Sequence, residues 1–131
     1  VIFMSDLIKE IDIPLVIDFM SVSSYGNGTD STGVVKILKD TDFELKGKEI
    51  LIIEDIIDTG LTLIYVREFI ESKGTKSVAI CTLLDKPSRR KVDIKGDYVG
   101  FEIPDEFVVG YGLDYAQHHR NLPYVGMVVK K

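Results

Sequence analysis

Cysteine is nearly absent from this sequence: Cys81 is the only one in 131 residues, so no disulfide framework can form within the chain. It lies in the apolar run Val78-Ala79-Ile80-Cys81-Thr82-Leu83-Leu84, where the expected role is that of a small buried hydrophobe. No uninterrupted apolar stretch approaches the roughly 18 residues of a membrane span, and no charged start with a cleavage site opens the sequence. A cytoplasmic address and no membrane partner are expected. Positive charge is not in excess either. With 16 Lys and Arg against 21 Asp and Glu the net charge is −5, which disfavours nucleic acid or an anionic membrane as the main partner. The pattern Gly-x-x-x-x-Gly-Lys-Ser/Thr does not occur, so ATP hydrolysis is not expected. Internal repeats, low-complexity tracts and linkers are also missing. The remaining expectation is one domain over residues 1–131, and 45% hydrophobic content is enough for one core.

What is present is concentrated in Ile50-Leu51-Ile52-Ile53-Glu54-Asp55-Ile56-Ile57-Asp58-Thr59-Gly60-Leu61-Thr62-Leu63. The β-branched run reads as a strand buried on both faces of a parallel sheet. Its carboxylates then fall at the C-terminal edge, where open α/β sheets bind ligands. The turn Thr59-Gly60-Leu61-Thr62 can offer backbone N–H groups and hydroxyls at a helix N-terminus. A sugar phosphate would satisfy both halves of the segment.

The surrounding pattern builds an α/β frame. A helix is expected over about Ile2–Ile11, a strand over Leu15–Val22, and a polar flap at Gly26–Ser31 leading to Val34–Leu38. The signature strand runs from about Glu49 to Glu54 and feeds a helix from Leu61 to Lys73, with Gly74 as its stop. Leu63, Val66 and Ile70 form an apolar stripe on that helix. The returning strand, Ser77–Leu84, is expected to lie parallel to the first through a right-handed crossover, which brings Asp85 and Lys86 to the same ligand edge. Later strands are expected at Tyr98–Glu102 and Tyr124–Val129.

The stretch Glu54-Asp55-Ile56-Ile57-Asp58-Thr59-Gly60 resembles the phosphoribosyl diphosphate signature of the purine phosphoribosyltransferases, of the hypoxanthine (guanine) type. Four further stretches resemble the same family in the same order. They are Ser23-Ser24-Tyr25 with Ser31-Thr32-Gly33; Leu83-Leu84-Asp85-Lys86-Pro87; Tyr98-Val99-Gly100-Phe101-Glu102-Ile103-Pro104-Asp105; and Phe107-Val108-Val109-Gly110-Tyr111-Gly112-Leu113-Asp114-Tyr115 with Arg120-Asn121-Leu122-Pro123. The resemblance implies a type I phosphoribosyltransferase fold, a mostly parallel central sheet flanked by helices, with a mobile flap and a small C-terminal hood. It also implies transfer of the 5-phosphoribosyl group from phosphoribosyl diphosphate to hypoxanthine or guanine, giving IMP or GMP and diphosphate. In that family a strand and a Lys-Gly diphosphate-binding loop come before the first helix, and both are expected to be missing from the 1–131 domain.

By the same resemblance, Glu54 and Asp55 face the ribose hydroxyls and share a hydrated Mg²⁺ with Asp114. Asp58 moves the proton at purine N7, where a placed group contributes about 10²–10⁴-fold. Thr59, Gly60, Leu61 and Thr62 cradle the 5′-phosphate, and Arg120 contacts diphosphate. Lys86 donates to the 6-oxo group, Phe107 stacks on the base, and Val108 offers backbone contacts to its edge. Ser24 and Tyr25 root the flap. The family usually assembles as homodimers or homotetramers.

Plainer readings exist for most of these residues. Taken alone, Lys86 is a surface lysine, Phe107 a core residue, and Ser24 and Tyr25 turn and packing residues. His118 and His119 are expected to be a solvated pair. The basic run Lys86-Pro87-Ser88-Arg89-Arg90-Lys91 is expected to be a solvated loop beside the site. A catalytically weak or inactive nucleotide-binding or regulatory module of the same fold stays open, as does a doubly wound phospho-receiver domain.

Overall fold

A computed structural model describes residues 1–25 and 34–129. The expected flap falls largely outside them, as do the side chains of Ser24 and Tyr25. The elements in chain order are helix α1 (Ile2–Ile8), strands β1 (Ser21–Tyr25), β2 (Val34–Lys39) and β3 (Glu49–Ile57), helix α2 (Leu61–Glu71), and strand β4 (Ser77–Asp85). A 3₁₀ turn (Pro87–Arg89) precedes strands β5 (Tyr98–Glu102), β6 (Val108–Val109) and β7 (Gly126–Met127).

Strands β3, β4 and β5 form a parallel sheet in that order. The β-branched runs Ile50–Ile53 and Val78–Ile80 suit its pleated strands, but β3 is not buried on both faces as expected: Ile52 and Ile57 are buried while Leu51 is exposed. Helix α2 connects β3 to β4 and lays Leu63, Val66 and Ile70 onto the sheet, the stripe expected from their spacing. Together with Leu45, Ile52, Ile57, Ile80 and Ile94 these side chains make the core. Burying one such aliphatic side chain contributes about 1.5–3 kcal/mol. Cys81 is buried as expected, and that burial pushes its thiol pKa up.

Several expected boundaries move. The first helix stops at Ile8, and residues 15–20 run without regular pairing, so the strand expected over Leu15–Val22 is displaced to β1, which shares only Ser21 and Val22 with it. That strand pairs antiparallel with β2. Strand β3 continues to Ile57, because Ile56 and Ile57 still pair with Leu84 and Asp85 of β4. Glu54 and Asp55 therefore lie inside the strand, and only Asp58 is beyond its end. The Tyr124–Val129 strand is reduced to the two residues of β7, which pair antiparallel with β6.

The hood made by β6, β7 and the turns between them is tied to the rest of the chain through the Tyr111 hydroxyl, which donates to the Asp6 carboxylate of α1. Tyr111, Ala116, Gln117 and His119 all adopt positive φ, a concentration of left-handed backbone at non-glycine residues. Among the described residues no helix is long and apolar enough to cross a membrane.

Candidate active site

The parallel register determines which chemical groups meet. Ile57 of β3 is the partner of Asp85 in β4, so Asp58 and Lys86 are the next residues on two neighbouring strands and leave the sheet side by side. Neighbouring strands are about 4.8 Å apart, which brings the two side chains to a single ligand edge. Lys86 is only 7% exposed, unlike an ordinary surface lysine. Its Nζ lies 3.8 Å from Oδ1 of Asp105, a loose pairing for a buried ammonium.

The turn after β3 is held from one side by the segment after β4. Its three successive carbonyls, those of Ile57, Asp58 and Thr59, accept hydrogen bonds from the Lys86 backbone N–H at 2.9 Å, from Nη1 of Arg90 at 2.7 Å and from the Lys91 N–H at 2.9 Å. Arg90 also pairs with the buried Asp85 carboxylate and donates from Nε to the Ile94 carbonyl at 3.0 Å. The basic run is only in part the solvated loop its composition suggests: Pro87, Ser88, Arg89 and Lys91 are exposed, and two residues are not. Lys86 and Arg90 turn inward because the turn has carbonyls to satisfy and Asp85 has a buried charge to neutralise.

Gly60 begins α2 with φ +85°. A β-carbon there would stand 2.5 Å from Cγ2 of the core residue Ile94 and 3.1 Å from Cδ of Arg90. Both the backbone angle and the close packing of the following loop require glycine. Leu61 N–H makes a long, 3.4 Å contact with the Thr59 hydroxyl, and α2 has no side-chain cap. The first turn of the helix therefore keeps donors for an anion, together with the positive end of the helix dipole.

Glu54 and Asp55 are partly buried on β3. Burial, and then the neighbouring Asp55 charge, pushes the Glu54 carboxyl up to about 7. Oδ1 of Asp55 accepts from the Ile56 N–H at 2.7 Å. Among the described residues no group of three or more His, Cys, Asp or Glu is placed to hold a metal ion. Mg²⁺ keeps several waters and takes only one or two protein carboxylates beside a substrate phosphate, so a single carboxylate of β3, Glu54 or Asp55, would suffice on the protein side.

The hood carries the remaining predicted residues. Phe107 is half exposed and meets Tyr115 edge-on at 5.5 Å, so one ring is free to stack rather than being core. Val108 pairs with Met127 across β6 and β7. Asp114 accepts from the Gln117 N–H at 2.8 Å and lies 3.4 Å from Nη2 of Arg120, whose Nη1 donates to the Gly112 carbonyl at 2.8 Å. These contacts place Asp114 with Arg120, with no direct contact to Glu54 or Asp55. His118 and His119 are exposed in a turn, with ring centroids 6.3 Å apart.

Two residues not singled out from sequence belong to the site. Arg89 donates from Nε to Oδ1 of Asp58 at 2.9 Å and lies 3.7 Å, through Nη1, from Oδ2 of Asp105. That pairing with Asp58 raises the Arg89 pKa. Asp105 thus connects Arg89 to Lys86, two residues ahead of Phe107. The signal available in the sequence was a basic run directly after a strand parallel to the acidic one.

A parallel sheet ending in carboxylates, a buried lysine and an uncapped helix N-terminus defines an α/β protein built to take a phosphorylated ligand at its strand ends. The chain belongs to the phosphoribosyl transferase domain family, whose model matches residues 1–116. It is 64% identical over 126 residues to the hypoxanthine-guanine phosphoribosyltransferase of Bacillus subtilis (strain 168), covering 96% of this chain and 70% of that one. It is 61% identical over 127 residues to the hypoxanthine phosphoribosyltransferase of Salmonella typhimurium, covering 97% and 71%. A crystal structure of a hypoxanthine phosphoribosyltransferase from Staphylococcus aureus superimposes with a TM-score of 0.95 at 58% identity, over 98% of this chain and 70% of that one.

Proposed function

We propose that this protein is a purine-salvage transferase that moves the 5-phosphoribosyl group from phosphoribosyl diphosphate to hypoxanthine or guanine, giving IMP or GMP and diphosphate. The observation that carries the reading is the emergence of Asp58 and the buried Lys86 side by side from paired parallel strands. One group can manage a proton while the other reads an oxygen on the same base. Membership of the family and the high identity to hypoxanthine phosphoribosyltransferases support it.

In this reading Thr59, Gly60, Leu61 and Thr62 bind the 5′-phosphate with N–H groups and hydroxyls, while their neighbours' carbonyls are occupied on the opposite side. Glu54 and Asp55 accept from the ribose hydroxyls and offset positive charge on the sugar ring as diphosphate leaves. Asp58 takes the N7 proton. Lys86 donates to the 6-oxo group and disfavours adenine, whose exocyclic amine presents donors to a donor. Phe107 stacks on the purine and Val108 contributes backbone contacts to its edge. Arg120 contacts diphosphate, and Ser24 and Tyr25 carry the flap over the reacting centre.

Magnesium would be held through water by Glu54 and Asp55, with Asp114 at the diphosphate end, and supplies neutralising charge to the departing diphosphate. The chain acts as one phosphoribosyltransferase domain in the cytoplasm and self-associates as a homodimer or homotetramer.

The test is nucleotide formation from hypoxanthine, guanine, xanthine and adenine, each with phosphoribosyl diphosphate and Mg²⁺. Product from hypoxanthine or guanine, lowered about 10²–10⁴-fold in Asp58→Asn, is the expected result. Product from adenine alone, or full turnover by Asp58→Asn, overturns the assignment.

A further inference from the structure

Within the transferase reading, we infer that Arg89 is a positioning residue that holds the Asp58 carboxylate by one oxygen and presents the other to the purine. Among the described residues, the only side chain that hydrogen-bonds its carboxylate is Arg89, through Nε to Oδ1 at 2.9 Å. Oδ2 carries no such bond there.

Arg89 is itself placed by short-range constraints. It closes the 3₁₀ turn that begins at Pro87, and its backbone N–H donates to the Lys86 carbonyl at 3.0 Å. Proline restricts the backbone at the start of that turn. The guanidinium is therefore carried on the same short segment as the lysine that would read the 6-oxo group. Asp105 closes the arrangement, 3.7 Å from Nη1 of Arg89 and 3.8 Å from Nζ of Lys86. The ionic chain Asp58–Arg89–Asp105–Lys86 thus joins the proton-transfer carboxylate to the reader of the base, so the two are oriented together.

Stability does not account for the pair. The Arg89 and Asp58 side chains are 46% and 45% exposed, and ion pairs at such positions add little to folding. Orientation is a different matter, since a small misplacement of a reacting group can cost a large factor in rate. A neighbouring clamp already secures the turn, because Arg90 holds the main-chain carbonyl of Asp58. What Arg90 cannot do is set the direction of the Asp58 side chain, and Arg89 does that.

The experiment measures steady-state turnover of hypoxanthine by the unsubstituted protein, Arg89→Gln, Arg89→Lys, Asp58→Asn and the Arg89→Gln/Asp58→Asn double variant, with a thermal melt of each. Arg89→Gln is expected to lower kcat about tenfold. KM for phosphoribosyl diphosphate should stay within about twofold, and the melt should be unchanged. Arg89→Lys should recover most of kcat. In the Asp58→Asn background, Arg89→Gln should change kcat by less than about twofold, because its effect passes through Asp58. Full kcat in Arg89→Gln overturns the inference, as does the same tenfold loss in both backgrounds. A rise in kcat would identify Arg89 as a latch to be released, and overturns it as well. An unsubstituted protein that makes no nucleotide overturns the transferase reading and this inference with it, whereas an active protein indifferent to Arg89→Gln removes the inference alone.

Discussion

Arg90 donates from Nη1 to the main-chain carbonyl of Asp58 at 2.7 Å while its Nη2 pairs with the buried carboxylate of Asp85. One guanidinium thereby joins the ends of β3 and β4 and satisfies two groups that water cannot reach freely. Replacing it by an apolar residue leaves Asp85 buried without its partner, which in comparable cases costs about 3–5 kcal/mol. Arg90→Met is expected to unfold in chemical denaturant with a loss of that order, and Arg90→Met/Asp85→Asn to recover part of it. A single variant as stable as the parent would show that Asp85 is neutralised elsewhere.

Gly60 gives a prediction of a different kind. Its φ of +85° and the 2.5 Å approach of Ile94 leave no room for a β-carbon. Gly60→Ala should therefore destabilise the fold by more than about 1 kcal/mol. Because the same residue begins α2, phosphate affinity should fall with it, which calorimetric titration with IMP would measure. An alanine variant with unaltered melting and IMP affinity would contradict the packing described.

Glu54 makes stability depend on pH. Its carboxyl is raised from 4.5 to about 7, so between those values the folded chain keeps a proton that the unfolded chain has released. The folded state is then favoured below pH 4.5 and loses that advantage as pH rises toward 7, by up to about 3 kcal/mol in the metal-free protein. Glu54→Gln lacks the titrating group, and its stability relative to the parent should increase across that window. Urea melts of both proteins at several pH values decide this, and parallel curves would count against it.

Lys86 should determine which purines are accepted. As a buried ammonium paired, among the described residues, with Asp105 alone, it has donors for an oxygen on the base. A hydrogen bond to a charged group contributes about 1.5–3 kcal/mol. Lys86→Gln is accordingly expected to lower kcat/KM for hypoxanthine about 10–100-fold while leaving adenine a poor substrate. An equal loss for both bases would assign Lys86 to the fold and not to recognition.

The local parts of this protein were legible in its residues. The β-branched strand, the stripe of Leu63, Val66 and Ile70, the glycine at position 60 and the parallel return of β4 each follow from steric or periodic rules acting over a few residues. Asp58 beyond the strand and the turn that follows were visible for the same reason, whereas Glu54 and Asp55 lie inside β3 and not at its edge. Strand lengths were not, since Ile56 and Ile57 are held in β3 by Leu84 and Asp85, residues far along the chain.

Only the tertiary structure could decide what the basic run does. In sequence Arg89 and Arg90 look like solvated charges. In three dimensions one binds the carboxylate of Asp58 and the other binds its carbonyl, across separations of 31 and 32 residues. The reason is physical: a backbone turn leaving a sheet exposes carbonyls and charges that must find partners, and the partner is whatever the neighbouring strand delivers beside it. The amino acids by themselves determined which chemical groups lie at the edge; the pairing of β3 with β4 decided which of them face one another.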